Sequence, residues 1–388
     1  MNRTSSLLMG VSLFLLSITM GGEENALPMG LHGTAGASSV VTFGPQTSKY
    51  AVGDCDLDHM DEVAVDFGTA GIWLYDQGNW IQLAPENPEG LFAFRRSGTY
   101  FDFLADLGSR GLWRWHFGTW SQISPADVES MACGLVYIGG GSDGRWVLFA
   151  DFGGLGLWLL WFYEIYGPPL NWIQLSGENA DNVVTARFPF SKYFGGWSDV
   201  FGDFGSLGLW LCLPYAGANP WSQLSSTNAD NLTPGRHWLA ADFGSFGLWT
   251  YKESSGWTNL SGADAEFVIP ADANADTADE IVADFGALGL WLWDTSQWTQ
   301  LTDADSEYVI SADVTGDGSD EIAVDFGSAG LWVWNDGPWS QISAMDPEYL
   351  LAADTNGDGA KEILADFGAS GLWMWNGAWA RISEENPD

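Results

Sequence analysis

One string governs what this chain can fold into. Asp-Phe-Gly-x-x-Gly-Leu-Trp begins at Asp66, Asp106, Asp151, Asp203, Asp242, Asp284, Asp325 and Asp366, with Ile72 for Leu in the first copy and Leu107 for Phe in the second. Successive copies are 40, 45, 52, 39, 42, 41 and 41 residues apart. A second tryptophan follows each: Trp80, Trp120, Trp172, Trp221, Trp257, Trp298, Trp339 and Trp379. Units this short cannot each bury a core, so they must cover one another's apolar faces.

The last copy shows the local structure expected. Glu348–Ala352 is a short apolar run, Asp354–Gly359 a polar loop, and Glu362–Phe367 a β-compatible run. Gly368–Gly371 is a turn, and Leu372–Trp375 and Trp379–Ser383 are two further strands. Four strands in about 40–50 residues is the pattern of a propeller blade. Glycines supply the positive φ angles of the turn, and the Asp ahead of Phe-Gly can accept hydrogen bonds from its amides. Eight units fill Ser48 to Ser383, in phase at both ends. The expected fold is all-β, an eight-bladed β-propeller of four-stranded antiparallel blades, with seven blades as the alternative. Val40–Phe43 can add an outer strand to the last blade.

Arg3 and the 14 apolar residues Leu7–Met20 read as a signal peptide, too short to span a bilayer comfortably. We expect residues 1–37 to be signal and leader, with an unsettled cleavage point, and 38–388 to be a single propeller domain. The product expected is exported: extracellular, at the cell surface or periplasmic, monomeric, with no membrane insertion once the signal is removed. Against 51 Asp and Glu there are only 13 Lys and Arg, which argues against nucleic acid. Cys55, Cys133 and Cys212 are too few and too scattered for a disulfide framework and read as small buried residues.

Four units carry a nine-residue acidic loop between strands 1 and 2. The expected cation ligands are Asp54, Asp56, Asp58 and Glu62; Asp272, Asn274, Asp276 and Glu280; Asp313, Thr315, Asp317 and Glu321; and Asp354, Asn356, Asp358 and Glu362. Side-chain oxygens at positions 1, 3, 5 and 9, with a carbonyl at 7, suit Ca2+. Gly318 and Gly359 allow the sharp turn at position 6, whereas His59 and Thr277 there weaken their sites. The alternative is a solvated acidic turn without metal. The stretch from Tyr308 to Gly327, with its counterparts, resembles the FG-GAP/VCBS repeat family, which includes integrin α propellers and some lectins. That resemblance implies a calcium-stabilised propeller outside the cytoplasm and no single function. The Gly-Leu-Trp and Trp-x-Gln-Leu elements depart from the integrin pattern, so integrin-style ligand binding is not carried over.

Repeats 2 to 5 lack the acidic ligands. Their 1–2 loops, and the enlarged 3–4 loops on the same face, bring in aromatic and basic residues instead. Trp161, Tyr163, Tyr166, Tyr193, Trp197, Arg236 and Trp238 form the candidate ligand surface, suited to a glycan or an extracellular protein. The alternative is that these aromatics pack the loops onto the ring. The 16 repeated tryptophans read as filling between blades, with one sugar site per blade interface as the alternative. No nucleophile elbow, metalloprotease motif or phosphate loop is present, so no enzyme is expected; the alternative is a polysaccharide-active enzyme whose paired carboxylates come together only in space.

Overall fold

The computed structural model describes residues 48–387 apart from 98–99, 138–143, 162–170, 188–197 and 214–219. The expected leader, its cleavage point and Val40–Phe43 lie outside the described residues. The described chain forms eight four-stranded antiparallel sheets, each built from consecutive strands in the spatial order 1-2-3-4. Blade 1 comprises Tyr50–Gly53, Glu62–Asp66, Ile72–Asp76 and Asn79–Ala84. Blade 2 runs from strand Gly90–Ser97 to strand Thr119–Ser124, blade 3 from Ser130–Tyr137 to Asn171–Gln174, and blade 4 from Asn182–Arg187 to Trp221–Ser225. Blade 5 runs from Asn231–Pro234 to Gly256–Ser261, blade 6 from Phe267–Ala271 to Gln297–Thr302, blade 7 from Tyr308–Ala312 to Trp339–Ser343, and blade 8 from Tyr349–Ala353 to Trp379–Arg381. This is the eight-bladed propeller, and every blade keeps the phase of the sequence repeat.

Strand 2 is the most apolar strand and the most deeply placed. Glu62–Asp66, Glu280–Asp284, Glu321–Asp325 and Glu362–Asp366 are buried along their whole length. Both faces of such a strand must be covered, and the neighbouring blades cover them. Val63 and Val65 of blade 1 pack with Leu351, Leu364 and Leu372 of blade 8, while Ala64 and Leu74 pack with Leu91 and Phe103 of blade 2. Six further clusters continue this alternation around the ring.

After strand 2 the chain makes one 3-10 turn at Gly-x-x and reverses into strand 3. The second glycine of Gly-x-x-Gly has φ between 75° and 85° in all eight copies. It also presses against the backbone leaving strand 4, next to Ala84 in blade 1, where no Cβ fits. Seven of the eight repeat aspartates accept the N–H of the first glycine at 2.8–3.3 Å, as the sequence suggested.

Both repeated tryptophans spend their N–H groups inside the ring. The strand 3 residue donates to the turn three residues back, as Trp73 does to the Ala70 carbonyl at 2.9 Å. The strand 4 residue donates to the preceding blade: Trp120 to Leu83, Trp172 to Ile123, Trp221 to Leu175, Trp257 to Leu224, Trp298 to Leu260, Trp339 to Leu301 and Trp379 to Ile342. Trp80 closes the series on Ile382 of blade 8 at 2.8 Å. Tyr50 of blade 1 stacks on Tyr349 of blade 8 with ring centres 4.9 Å apart, and its hydroxyl donates to Asp366. The ring is thus closed by side chains at an interface like the others.

Removing one indole N–H while keeping an aromatic ring costs about 1–2 kcal/mol. Trp80→Phe and Trp120→Phe are therefore expected to lower thermal stability by similar amounts. A Trp80→Phe variant as stable as the parent, beside a destabilised Trp120→Phe, would show that the ring is not closed through blade 8.

Candidate functional site: the 1–2 loop face

The four acidic loops share one backbone path. Position 1 accepts amides from across its own loop: Asp54 from Leu57 and His59, Asp313 from Gly316 and Gly318, Asp354 from Gly357 and Gly359, and Asp272 from Thr277. Positions 4 and 6 are left-handed in every loop, whether they are Gly316 and Gly318 or Leu57 and His59, at φ 75° and 72°. His59 and Thr277 thus do not alter the path; each non-glycine residue costs roughly 1–2 kcal/mol at such an angle. The position 9 glutamates are at most 5% exposed. One oxygen of each accepts the position 2 amide, from Cys55, Ala273, Val314 and Thr355.

The donor set fits a hard cation. Oxygens of Asp54, Asp56 and Asp58 lie within 4.8 Å of one another, about the span across an ion bound at ~2.4 Å. In blade 6, the Asp272 Oδ1 atom is buried and has no hydrogen-bond partner among the described residues. An ion at these loops would tie strand 1 to strand 2. Burial lifts Glu62 and Glu280 to about 7, and a cation beside them would reverse that shift.

Position 8 carries a role that the sequence reading missed. Its amide donates to the position 1 carbonyl of the loop before it: Asp320 to Asp272, Lys361 to Asp313 and Asp61 to Asp354, at 2.7–2.8 Å. The Asp320 and Asp61 carboxylates accept the amides of Asp272 and Asp354 in return. Lys361 instead reaches forward to Asp61 at 2.7 Å. At the two ends, Asp279 accepts the Arg236 amide of blade 5, and the Phe101 amide of blade 2 donates to the Asp54 carbonyl. The acidic loops of blades 6, 7, 8 and 1 form a continuous belt. Position 8 is plain in the sequence, but its partner lies 48 residues earlier or across the ring closure.

The candidate ligand surface divides. Tyr163, Tyr166, Tyr193 and Trp197 lie outside the described residues. Trp161 ends a strand of blade 3 and packs partly buried against the core between blades 3 and 4. Its indole nitrogen has no partner among the described residues. Trp238 must be reassigned. It is 4% exposed, packs in the core between blades 5 and 6 and donates its N–H to the Asp279 carbonyl. A side chain so enclosed offers no face to a ligand. Arg236 donates its guanidinium to the Thr277 carbonyl and so clasps the end of the belt.

Blade 2 holds a cluster built on Asp102. Asp102, fully buried, receives Arg114 at 2.6 Å and His116 Nδ1 at 2.7 Å. Arg96 lies 2.8 Å from His116 Nε2, and the Tyr100 hydroxyl is 2.9 Å from Nδ1. Burial holds the imidazole below its usual range, in keeping with a neutral ring beside two guanidinium groups. Arg95 stacks on Trp146 at 4.9 Å.

On the opposite face, the repeat aspartates meet the loops that lead to the next blade. The side-chain amides of Asn87, Asn228 and Asn386 lie 2.8–3.2 Å from the carboxylates of Asp66, Asp203 and Asp366, and hydrogen-bond chemistry assigns the NH2 end of each amide to the carboxylate. Blades 2 and 7 have Asp127 and Asp346 there, grouped with Asp106 and Glu89, and with Asp325 and Glu307. A cavity of about 380 Å3 opens beside the second group and is lined mainly by carboxylates and Tyr308. Burial first, and these neighbours after it, raise Asp106 and Asp325 to about 7.

No protein-family model matches the chain, and no curated protein does. Solved structures of similar fold include the Dos1 propeller, at TM-score 0.53 and 11% identity over 84% of this chain and 92% of that one. Sqt1 of Saccharomyces cerevisiae aligns at TM-score 0.51 and 11% identity over 91% of this chain and 100% of its own. The BP39L lectin from Burkholderia pseudomallei aligns at 0.48 and 13% identity, over 88% and 98%. At such identities the likeness is one of fold.

A carboxyl whose folded pKa is raised loses its stabilising contribution as pH climbs from its unfolded value to its folded one. For Asp106 and Asp325 that window runs from about 4 to about 7. Asp346→Asn supplies the amide seen in blades 1, 4 and 8. In cation-free buffer it is expected to raise the melting temperature by about 2 °C at pH 8 and to have little effect at pH 4.5. An equal effect at both pH values would contradict the ionisation account.

Proposed function

We propose that this chain is a calcium-stabilised binding module that works outside the cytoplasm and catalyses no reaction. Its ligand surface is the 1–2 loop face of blades 2 to 5, and its first ligand class is glycan. The observation that carries this reading is the division of that face. In blades 6, 7, 8 and 1 the loops bond to one another, and in blade 1 the carboxylate oxygens also converge on a common point. In blades 2 to 5 the sequence replaces those acids with Arg95, Arg96, Arg145, Lys192 and Arg236, and with Tyr163, Tyr166, Tyr193 and Trp197. One half of the face is thus suited to hold the ring and the other to meet a ligand. Planar aromatic faces beside guanidinium and amide groups suit sugar rings, which present C–H faces and hydroxyl edges. The repeated tryptophans are set aside as sugar platforms, because their N–H groups are committed within the ring.

Two measurements test the reading. Calcium at 100 times its Kd contributes about 2.7 kcal/mol per site, so EDTA is expected to lower the melting temperature by several degrees and excess Ca2+ to restore it. On a glycan array the protein is expected to bind, and Trp197→Ala to lose at least ten-fold in signal while keeping its melting temperature. Unchanged array signals for folded Trp197→Ala and Trp161→Ala would overturn the glycan surface. No response to any glycan, with capture of a defined extracellular protein by the same face, would replace sugar by protein as the ligand.

A further inference from the structure

Blade 1 differs from the other acidic blades in how it treats its buried glutamate. In blades 6, 7 and 8 the second oxygen of the position 9 carboxylate has a protein donor. Asn274 donates to Glu280 Oε1 at 3.0 Å, and the Thr315 hydroxyl to Glu321 Oε1 at 3.3 Å. Asn356 and Asn376 donate to Glu362 Oε1 at 2.6 and 3.1 Å. These donors come from position 3 of the loop and, in blade 8, from the residue after strand 3 as well.

In blade 1 both places are carboxylates, Asp56 and Asp76. Glu62 is 1% exposed, its Oε2 accepts the Cys55 amide at 2.7 Å, and its Oε1 has no partner among the described residues. Asp76 Oδ1 is likewise buried and without a partner. Oxygens of Asp58, Glu62 and Asp76 lie within 4.8 Å of one another. Glu62 and Asp76 thus each bring a buried, unanswered oxygen to this point, whereas the Asp58 oxygens also accept the Met60 amide and the Gln77 side-chain amide. One proton would neutralise only one of the three.

We infer that Asp58, Glu62 and Asp76 hold a hard divalent cation, Ca2+ first, between the acidic loop and strand 3 of blade 1. The site shares Asp58 and Glu62 with the ligands expected for the blade 1 loop, and Asp76 is the residue it adds. It rests on the same oxygen chemistry proposed for the loops, but not on those loops being filled. Asp76 lies 14 residues beyond Glu62 and outside any loop motif. Its ion would join strand 3 to the loop, where the loop ions join only strands 1 and 2.

The test uses the full chain, stripped with EDTA and titrated with CaCl2 by calorimetry, with bound calcium counted by elemental analysis. Asp76→Asn places an amide where blade 8 has Asn376. It is expected to bind one fewer Ca2+ per chain than the parent. Its metal-free melting temperature is expected to exceed that of the metal-free parent, because the amide can donate to Glu62 Oε1. An unchanged ion count in Asp76→Asn overturns the site, as does a metal-free variant no more stable than the metal-free parent. Asp354→Asn with Asp358→Asn serves as the loop control. If the loop reading alone fails, this double variant keeps the parent's ion count while Asp76→Asn still loses one. If only the blade 1 site fails, the pattern is reversed.

Discussion

Each blade opens its fourth strand with a tryptophan whose indole N–H is directed at a carbonyl of the blade before it, and the bond from Trp80 of blade 1 to Ile382 of blade 8 completes the circle. The rest of the structure depends on that closure. A four-stranded sheet whose second strand is buried on both faces is not stable as an exposed unit. It becomes so only when both neighbours are present. Among the described residues no strand is exchanged between blades. The work often left to a swapped strand falls to side chains: Trp80 on Ile382, Tyr50 on Tyr349 and Asp366, and Lys49 on the carbonyl of Pro387.

The same architecture buries carboxylates, and the ring answers them in different ways. At the fourth residue before each repeat aspartate stand Glu62, Asp102, Val147, Asp199, Trp238, Glu280, Glu321 and Glu362. Blades 3 and 5 remove the charge, and Trp238 fills its space with an indole. Blade 2 keeps the charge and supplies Arg114 and His116 from strand 3, a cation built into the chain. Blades 6, 7 and 8 supply amide or hydroxyl donors. The acidic loops are thus local solutions to a burial problem that every blade shares, and the basic residues of blade 2 are partly another. Arg114 is mostly enclosed, and Arg110 stands on the opposite face beside Glu86. The basic bias of repeats 2 to 5 therefore overstates what a ligand there would meet.

Much of the fold was legible because its determinants are local and repeated. The Gly-x-x-Gly turn needs a left-handed glycine, strand 2 needs an unbroken apolar run, and both needs recur in register eight times. Trp80 and its seven counterparts were legible as packing residues for the same reason. The candidate site was legible only where its parts are adjacent in sequence. The nine-residue loops fold as read, whereas their links through Asp61, Asp320 and Lys361 join residues of different blades. Trp238 looked like a loop aromatic because it follows Pro-Gly-Arg-His. Its place in the repeat, four residues before Asp242, already put it at the entry to strand 2, where it packs into the core.

Alignment by blade position carries more information than alignment by motif. Asp76 and Asn376 are unremarkable as single residues, and neither belongs to a recognised pattern. Set at the same point of the repeat, one is an acceptor and the other a donor, and the glutamate each one faces differs accordingly. The same holds on the other face, where Asn87 and Asn386 donate to the repeat aspartate while Asp127 and Asp346 crowd it. A ring of near-identical blades thus contains its own controls. Where one blade lacks a donor that its sisters supply, the missing partner must be a proton, a cation or a ligand, and burial decides how much free energy rides on the answer.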